Sequence, residues 1–153
     1  MGAGKSTKSK LVASENRAAL ISEDEWLAAH YPDQIKTFDD YIKYSGLIKP
    51  FVKKHIQDLL NLGLNVVMDF PANTVKQRVW FSSLCEEAGC DHELWYLNTS
   101  DEQCLRQIGQ RRIEQPERAH FDTDEVFHHV TQFFEPPTSN EKINIVHLEN
   151  GAK

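Results

Sequence analysis

Cysteine is scarce: Cys85, Cys90 and Cys104 are the only three in 153 residues. An odd set with no C-x-x-C pair suggests neither a disulfide framework nor a zinc site, so a reduced cytoplasm is the expected compartment. Basic charge is also short, with 17 Lys and Arg against 23 Asp and Glu and a net charge of −6. That balance argues against a broad nucleic-acid surface or attachment to an anionic membrane. No apolar run approaches the roughly 18 residues needed to span a bilayer, and no charged start leads into the apolar core of a signal peptide. Repeats and low-complexity tracts are absent as well. What is present is 40% hydrophobic content, enough for one globular domain covering residues 1–153 with a real core.

The most specific segment is the opening, Met1-Gly2-Ala3-Gly4-Lys5-Ser6-Thr7. Gly4, Lys5 and Ser6 fill the last three places of the phosphate-loop pattern G-x-x-x-x-G-K-[ST]. In that pattern backbone N–H groups surround phosphates, the Lys reaches the β/γ-phosphates, and the hydroxyl binds Mg²⁺. Counting back, Met1 takes the third place, so the first Gly and the strand that feeds such a loop are missing. A Lys in the first turn of a helix opposes the macrodipole unless an anion sits there, which favours a ligand role over a solvated one.

Downstream, strands and helices alternate. Lys5 to about Ala13 reads as a helix, and Ala18–Ile21 as a strand. Ser22 caps the next helix with Glu25 completing a capping box, and Tyr31-Pro32 ends it. A helix starting at Thr37 or Asp39 is expected to stop at Gly46. Another, Leu47–Leu62, carries a wide apolar face with Pro50 in its first turn. Val66–Asp69 reads as a strand; Thr74 caps a helix to about Glu87. Glu93–Leu97 is a strand, and Ser100 caps a helix through Arg111-Arg112. Thr123 caps a helix through Phe134, and Ile143–Leu148 closes as a strand. This alternation predicts a three-layer α/β fold with a parallel sheet covered on both faces.

In this order the signals resemble small P-loop kinases, most closely the AAA-type predicted kinases related to polynucleotide kinase, zeta toxin and chloramphenicol phosphotransferase. The resemblance rests on Gly4-Lys5-Ser6-Thr7, Ile21-Ser22-Glu23-Asp24-Glu25, Asp69, the Arg111-Arg112 pair and Phe134-Glu135-Pro136-Pro137-Thr138. It implies a P-loop NTPase fold with strand order 2-3-1-4-5, the central first strand being the one missing here. A folded protein that starts upstream of Met1 is therefore expected. It also implies ATP and Mg²⁺ as ligands, a small-molecule acceptor or a nucleic-acid end as substrate, and a lid over about residues 106–122. The alternative is a nucleotide-binding regulatory or degenerate protein without phosphoryl transfer.

The site residues follow from what phosphoryl transfer requires: positioned positive charge and a carboxylate facing the acceptor hydroxyl. Gly2, Ala3, Gly4, Lys5, Ser6 and Thr7 would bind nucleotide. Lys5 would supply charge, Ser6 would hold Mg²⁺, and Thr7 would reach the α-phosphate, as the resemblance implies. Asp24 matches the kinases' acidic residue after the second strand, where it would act as general base; a helix-stabilising role is the other reading. Asp69 stands at the C-terminal end of a strand, where ligands collect in α/β sheets, and would order Mg²⁺ or contact the acceptor unless it only forms a turn. Arg111 and Arg112, with Arg106 and Arg118 as weaker candidates, would clamp the transferring phosphate. His128 and His129 point in different directions on a helix and suit no metal. His55 reads as a core residue, and Trp26 as a packing residue or a base-stacking surface.

Overall fold

The computed structural model describes residues 1–116, 119 and 121–149, with Glu149 described by its backbone alone. Arg118 and His120, and with them part of the expected lid, lie outside the described residues. The described chain forms two compact units. One comprises 1–5, 72–83 and 91 onward; the other comprises 6–71 and 84–90.

In the second unit, helix α1 (Lys5–Glu15) leads to strand β1 (Ala19–Ser22), helix α2 (Glu23–His30), helix α3 (Phe38–Asn61) and strand β2 (Val66–Asp69). β1 and β2 pair in parallel, with Ala19 opposite Val66 and Ser22 opposite Asp69. Apart from Ser22 and Asp69 at their carboxyl ends, their side chains are apolar, with β-branched Ile21, Val66 and Val67 suiting a pleated, half-buried surface. The buried side chains include Ala13, Ile21, Leu27, Ile48, Val52, Ile56 and Phe70. Ile48, Val52 and Ile56 recur at i, i+4 and i+8, so one stripe of α3 faces the core. Phe51, on the edge of that stripe, is 62% exposed, so the apolar face is narrower than its sequence suggests.

The expected break at Gly46 is overturned: α3 runs unbroken for 24 residues, and Pro50 lies inside it. Proline removes one backbone donor and crowds the carbonyl four residues earlier. Here that carbonyl belongs to Gly46, and both positions are exposed, so water can take the orphaned acceptor. Thr37 caps the helix through a full capping box with Asp40. A 24-residue helix carries these two poor helix formers because its buried stripe and its cap fix the rest.

In the first unit, strands β3 (Glu93–Asn98) and β4 (Asn144–Glu149) pair in parallel over six residues. Helix α4 (Val75–Ala88) starts in this unit, and α5 (Asp101–Glu114) and α6 (Asp124–Thr131) belong to it. Ser100 and Thr123 cap α5 and α6 by accepting from Gln103 and Val126 N–H groups. α6 ends at Thr131, short of the expected Phe134, and the backbone turns through Phe133 well before the Pro136-Pro137 pair. Thr74 caps α4 as expected, accepting from Gln77 N–H at 3.2 Å, and Glu135 adds to that end: its carboxylate accepts from Val75 N–H at 2.7 Å and its own N–H donates to the Asn73 carbonyl at 2.9 Å.

One ion pair is sunk in this unit. Arg78, 1% exposed, donates two hydrogen bonds to the Glu141 carboxylate at 2.6 and 3.0 Å and a third to the Ala72 carbonyl at 2.9 Å. Such a forked, fully satisfied pair is what lets a guanidinium sit inside a protein.

Candidate functional site

The Gly-rich opening folds as a tight turn. Gly2 and Gly4 adopt positive φ, 69° and 82°, on either side of Ala3. Only glycine takes that backbone at no steric cost. At Gly2 the fit is closer still: a Cβ would come within 2.5 Å of the Cys104 carbonyl oxygen and 2.9 Å of Ile108. The turn is pinned to its unit by Met1 and Ala3, which pack on buried Cys104, Ile108 and Phe127. The Ala3 carbonyl accepts from the Thr99 hydroxyl at 3.3 Å. The loop then runs directly into α1, whose first turn carries Lys5, Ser6 and Thr7 and no acidic residue. Exposed Ser6 and Thr7 in the first turn of a helix that carries no acidic residue there make a set of donors suited to phosphate oxygens.

Burial pushes the Met1 amino group below its usual range; Cys104 opposes the shift, and Arg111 and Lys5 add to it. Both cations therefore act on the same end of the loop. Arg111 also donates to Asp122 through two guanidinium nitrogens, one at 2.7 Å, and Asp122 is fully buried. Arg112 is more loosely engaged, 3.9 Å from Asp124. Arg106 lies 3.9 Å from Glu102 on the same helix.

At the other predicted positions, Asp69 is 3% exposed and sits at the C-terminal end of β2. It accepts from the Ser9 hydroxyl of α1 at 3.5 Å and the Ser22 hydroxyl of β1 at 3.4 Å. Ser22 itself caps α2, accepting from Glu25 N–H at 3.5 Å. Asp69, Ser9 of α1 and the start of α2 are thus tied together at the carboxyl end of the parallel pair. Asp24 sits in the first turn of α2, two residues beyond Ser22 and partly exposed.

Beside it, Glu23 is 2% exposed and accepts from the Tyr41 and Ser45 hydroxyls of α3. In the sequence Glu23 is one of three consecutive acids at a helix start. The partners that bury it lie 18 and 22 residues away, and no local pattern announces them. Spacing did hold one clue: Tyr41 and Ser45 are four residues apart and share a helix face. Trp26 packs against Phe51 and His55, with ring centroids 5.8 and 5.6 Å away. His55 is therefore half-buried in an aromatic group and not in the core stripe.

A glycine turn feeding an acid-free helix start that presents Lys-Ser-Thr is the geometry of a phosphate loop, and the comparison with protein families agrees. The model of the AAA domain family matches residues 1–137. The chain belongs to that family. A search of curated proteins found no match. Membership of the AAA domain family carries the P-loop NTPase fold, and the helices with two short parallel sheets are α/β as that fold requires. It makes nucleotide binding the expected property of the Gly2–Thr7 loop. Among the described residues no helix of this AAA domain is long and apolar enough to cross a membrane.

Proposed function

We propose that this AAA-domain protein binds Mg²⁺-ATP at Gly2–Thr7 and transfers the γ-phosphate to a hydroxyl of a small molecule in the cytoplasm. The observation that carries the reading is the turn itself: two positive-φ glycines lead into a helix whose first residues are Lys5, Ser6 and Thr7. Lys5 would place its ammonium on the β/γ-phosphates, and the Ser6 hydroxyl would hold Mg²⁺, which when bound would supply neutralisation of charge on the transferring group. Asp69, already holding two hydroxyls, suits a supporting role behind that site, orienting groups around the ion without ligating it directly.

Asp24 accepts the acceptor hydroxyl's proton. Its neighbour Glu23, clamped by Tyr41 and Ser45, fixes the helix start that carries it. Arg112, with the looser partner, is assigned to the transferring phosphate within a lid that includes the end of α5. Arg111 holds that end in place through Asp122. We also assign the sheet the order 2-3-1-4-5. In that order second and third strands are neighbours, as are fourth and fifth; β1–β2 and β3–β4 are each a parallel pair of the kind it contains.

A nucleotide binder that performs no transfer would share the loop, so two substitutions separate the readings. ATP binding is followed by calorimetry, and ADP release is followed with a panel of hydroxyl compounds and a 5′-hydroxyl oligonucleotide. A kinase loses turnover with Lys5→Ala and with Asp24→Ala, whereas a pure binder loses affinity with Lys5→Ala and is indifferent to Asp24→Ala.

A further inference from the structure

The C-terminus of α4 closes in a Schellman turn. Gly89 N–H donates to the Glu86 carbonyl at 3.1 Å, Cys90 N–H reaches back to the Cys85 carbonyl at 3.1 Å, and Gly89 takes φ +65°. In this turn the first and last residues of the six meet side chain to side chain, a contact normally made by two apolar residues. Here both are cysteines. The Cys90 sulfur lies 3.7 Å from the Cys85 carbonyl oxygen, which brings the Cys90 side chain back over the residue that closes the turn. The backbone bond between the two residues keeps their Cα atoms within reach of a disulfide. The turn is also held from outside: Glu87 accepts from Lys53 at 2.6 Å and from Gln57 at 3.1 Å, and Gln57 donates to the Leu84 carbonyl at 3.5 Å. Both thiols are half-buried, so a small oxidant can reach them.

We propose that Cys85 and Cys90 are a reversible oxidation site, forming an intramolecular disulfide across the end of α4 by exchange with glutathione disulfide. The Cys90 thiolate attacks one sulfur of glutathione disulfide, forming a mixed disulfide and releasing one glutathione thiolate, which takes up a proton. Cys85 gives its proton to solvent and attacks the Cys90 sulfur, and the second glutathione leaves as thiolate. Two cysteine thiols are oxidised, and one glutathione disulfide is reduced to two thiols. Burial, with the neighbouring Cys90 adding to it, pushes the Cys85 thiol up to about 12, so Cys85 is a slow nucleophile and the first attack is assigned to Cys90. Cys104, 6% exposed among Ile108 and Phe127, takes no part.

The test uses the full chain incubated in glutathione buffers of rising oxidised fraction, quenched by alkylation and cleaved after glutamate without reduction. Cleavage after Glu86 or Glu87 leaves the two cysteines on separate peptides unless a disulfide joins them. The expected result is a linked pair, a fall in free thiols from three to one per chain with Cys104 still alkylated, and full reversal by dithiothreitol. Cys85→Ser should instead trap a glutathione adduct on Cys90. The proposal is overturned if wild type accumulates that same adduct, if the linked peptides include Cys104, or if three thiols persist when Cys90 in Cys85→Ser is modified.

Discussion

At the scale of single residues, charges that look alike in the sequence do different work. Asp24 stays partly exposed in the first turn of α2, while adjacent Glu23 is buried under two hydroxyls. Arg112 rests loosely near Asp124, while Arg78 is enclosed with Glu141. Removing one partner of such a buried pair strands the other, so Arg78→Met should cost about 3–5 kcal/mol in chemical denaturation. The Arg78 guanidinium holds the Glu141 carboxyl below the usual carboxylate range, as does a hydrogen bond from Thr138 N–H. A lowered folded-state value means that this contribution is complete above the ordinary carboxylate range and fades as pH falls through the folded value. Melting curves through the acid range should therefore show Glu141→Gln less acid-sensitive than wild type, and parallel curves would refute the assignment. Gly2→Ala is the loop's sharpest test of fit: positive φ and a Cβ 2.5 Å from the Cys104 oxygen predict a loss of about 1–3 kcal/mol. These pairings were not legible in the sequence, because 63 residues separate Arg78 from Glu141 and only the folded chain joins them. The loop was legible because its chemistry depends on consecutive residues.

Among the elements, capping was the most readable signal. Ser22, Ser100 and Thr123 each accept the N–H three residues on, as their positions before apolar-periodic runs predicted. Local hydrogen bonds of this kind are decided within one turn. The continuity of α3 was not readable, because Gly46 and Pro50 both vote locally against a helix that its buried stripe maintains. The glycine should be replaceable: a Cβ there meets nothing within 4 Å, and the position is exposed. Gly46→Ala is expected to stabilise the protein by about 0.5–1 kcal/mol in urea titration. A destabilised variant would show that the glycine is needed to relieve crowding from Pro50. The Phe134-Glu135-Pro136-Pro137-Thr138 stretch, noted for its resemblance, has a local structural task as well, since Glu135 accepts from Val75 N–H at the start of α4.

For the molecule as a whole, each unit carries one two-stranded parallel sheet among the described residues, and two strands alone give little independent stability. Helices packed on these sheets, and a ligand that binds only the folded state, therefore matter more than in a wide sheet. At about 100 times its dissociation constant a ligand adds about 2.7 kcal/mol, which for a chain of this size is a rise in Tm of about 5–10 °C. Mg²⁺-ATP should produce that rise in wild type and not in Lys5→Ala, read by differential scanning fluorimetry. The strand-helix alternation and the parallel pairing were visible in the sequence because hydrophobic runs and caps are local; the division into two units depends on contacts that no run of residues displays.

The most direct test of the central claim is calorimetric titration of Mg²⁺-ATP into wild type, Lys5→Ala and Asp24→Ala. Wild type and Asp24→Ala should bind one nucleotide per chain with similar affinity, and Lys5→Ala should bind about 10–100-fold more weakly, as expected for loss of a charged hydrogen bond of about 1.5–3 kcal/mol. No binding by wild type, or equal binding by Lys5→Ala, would contradict the account.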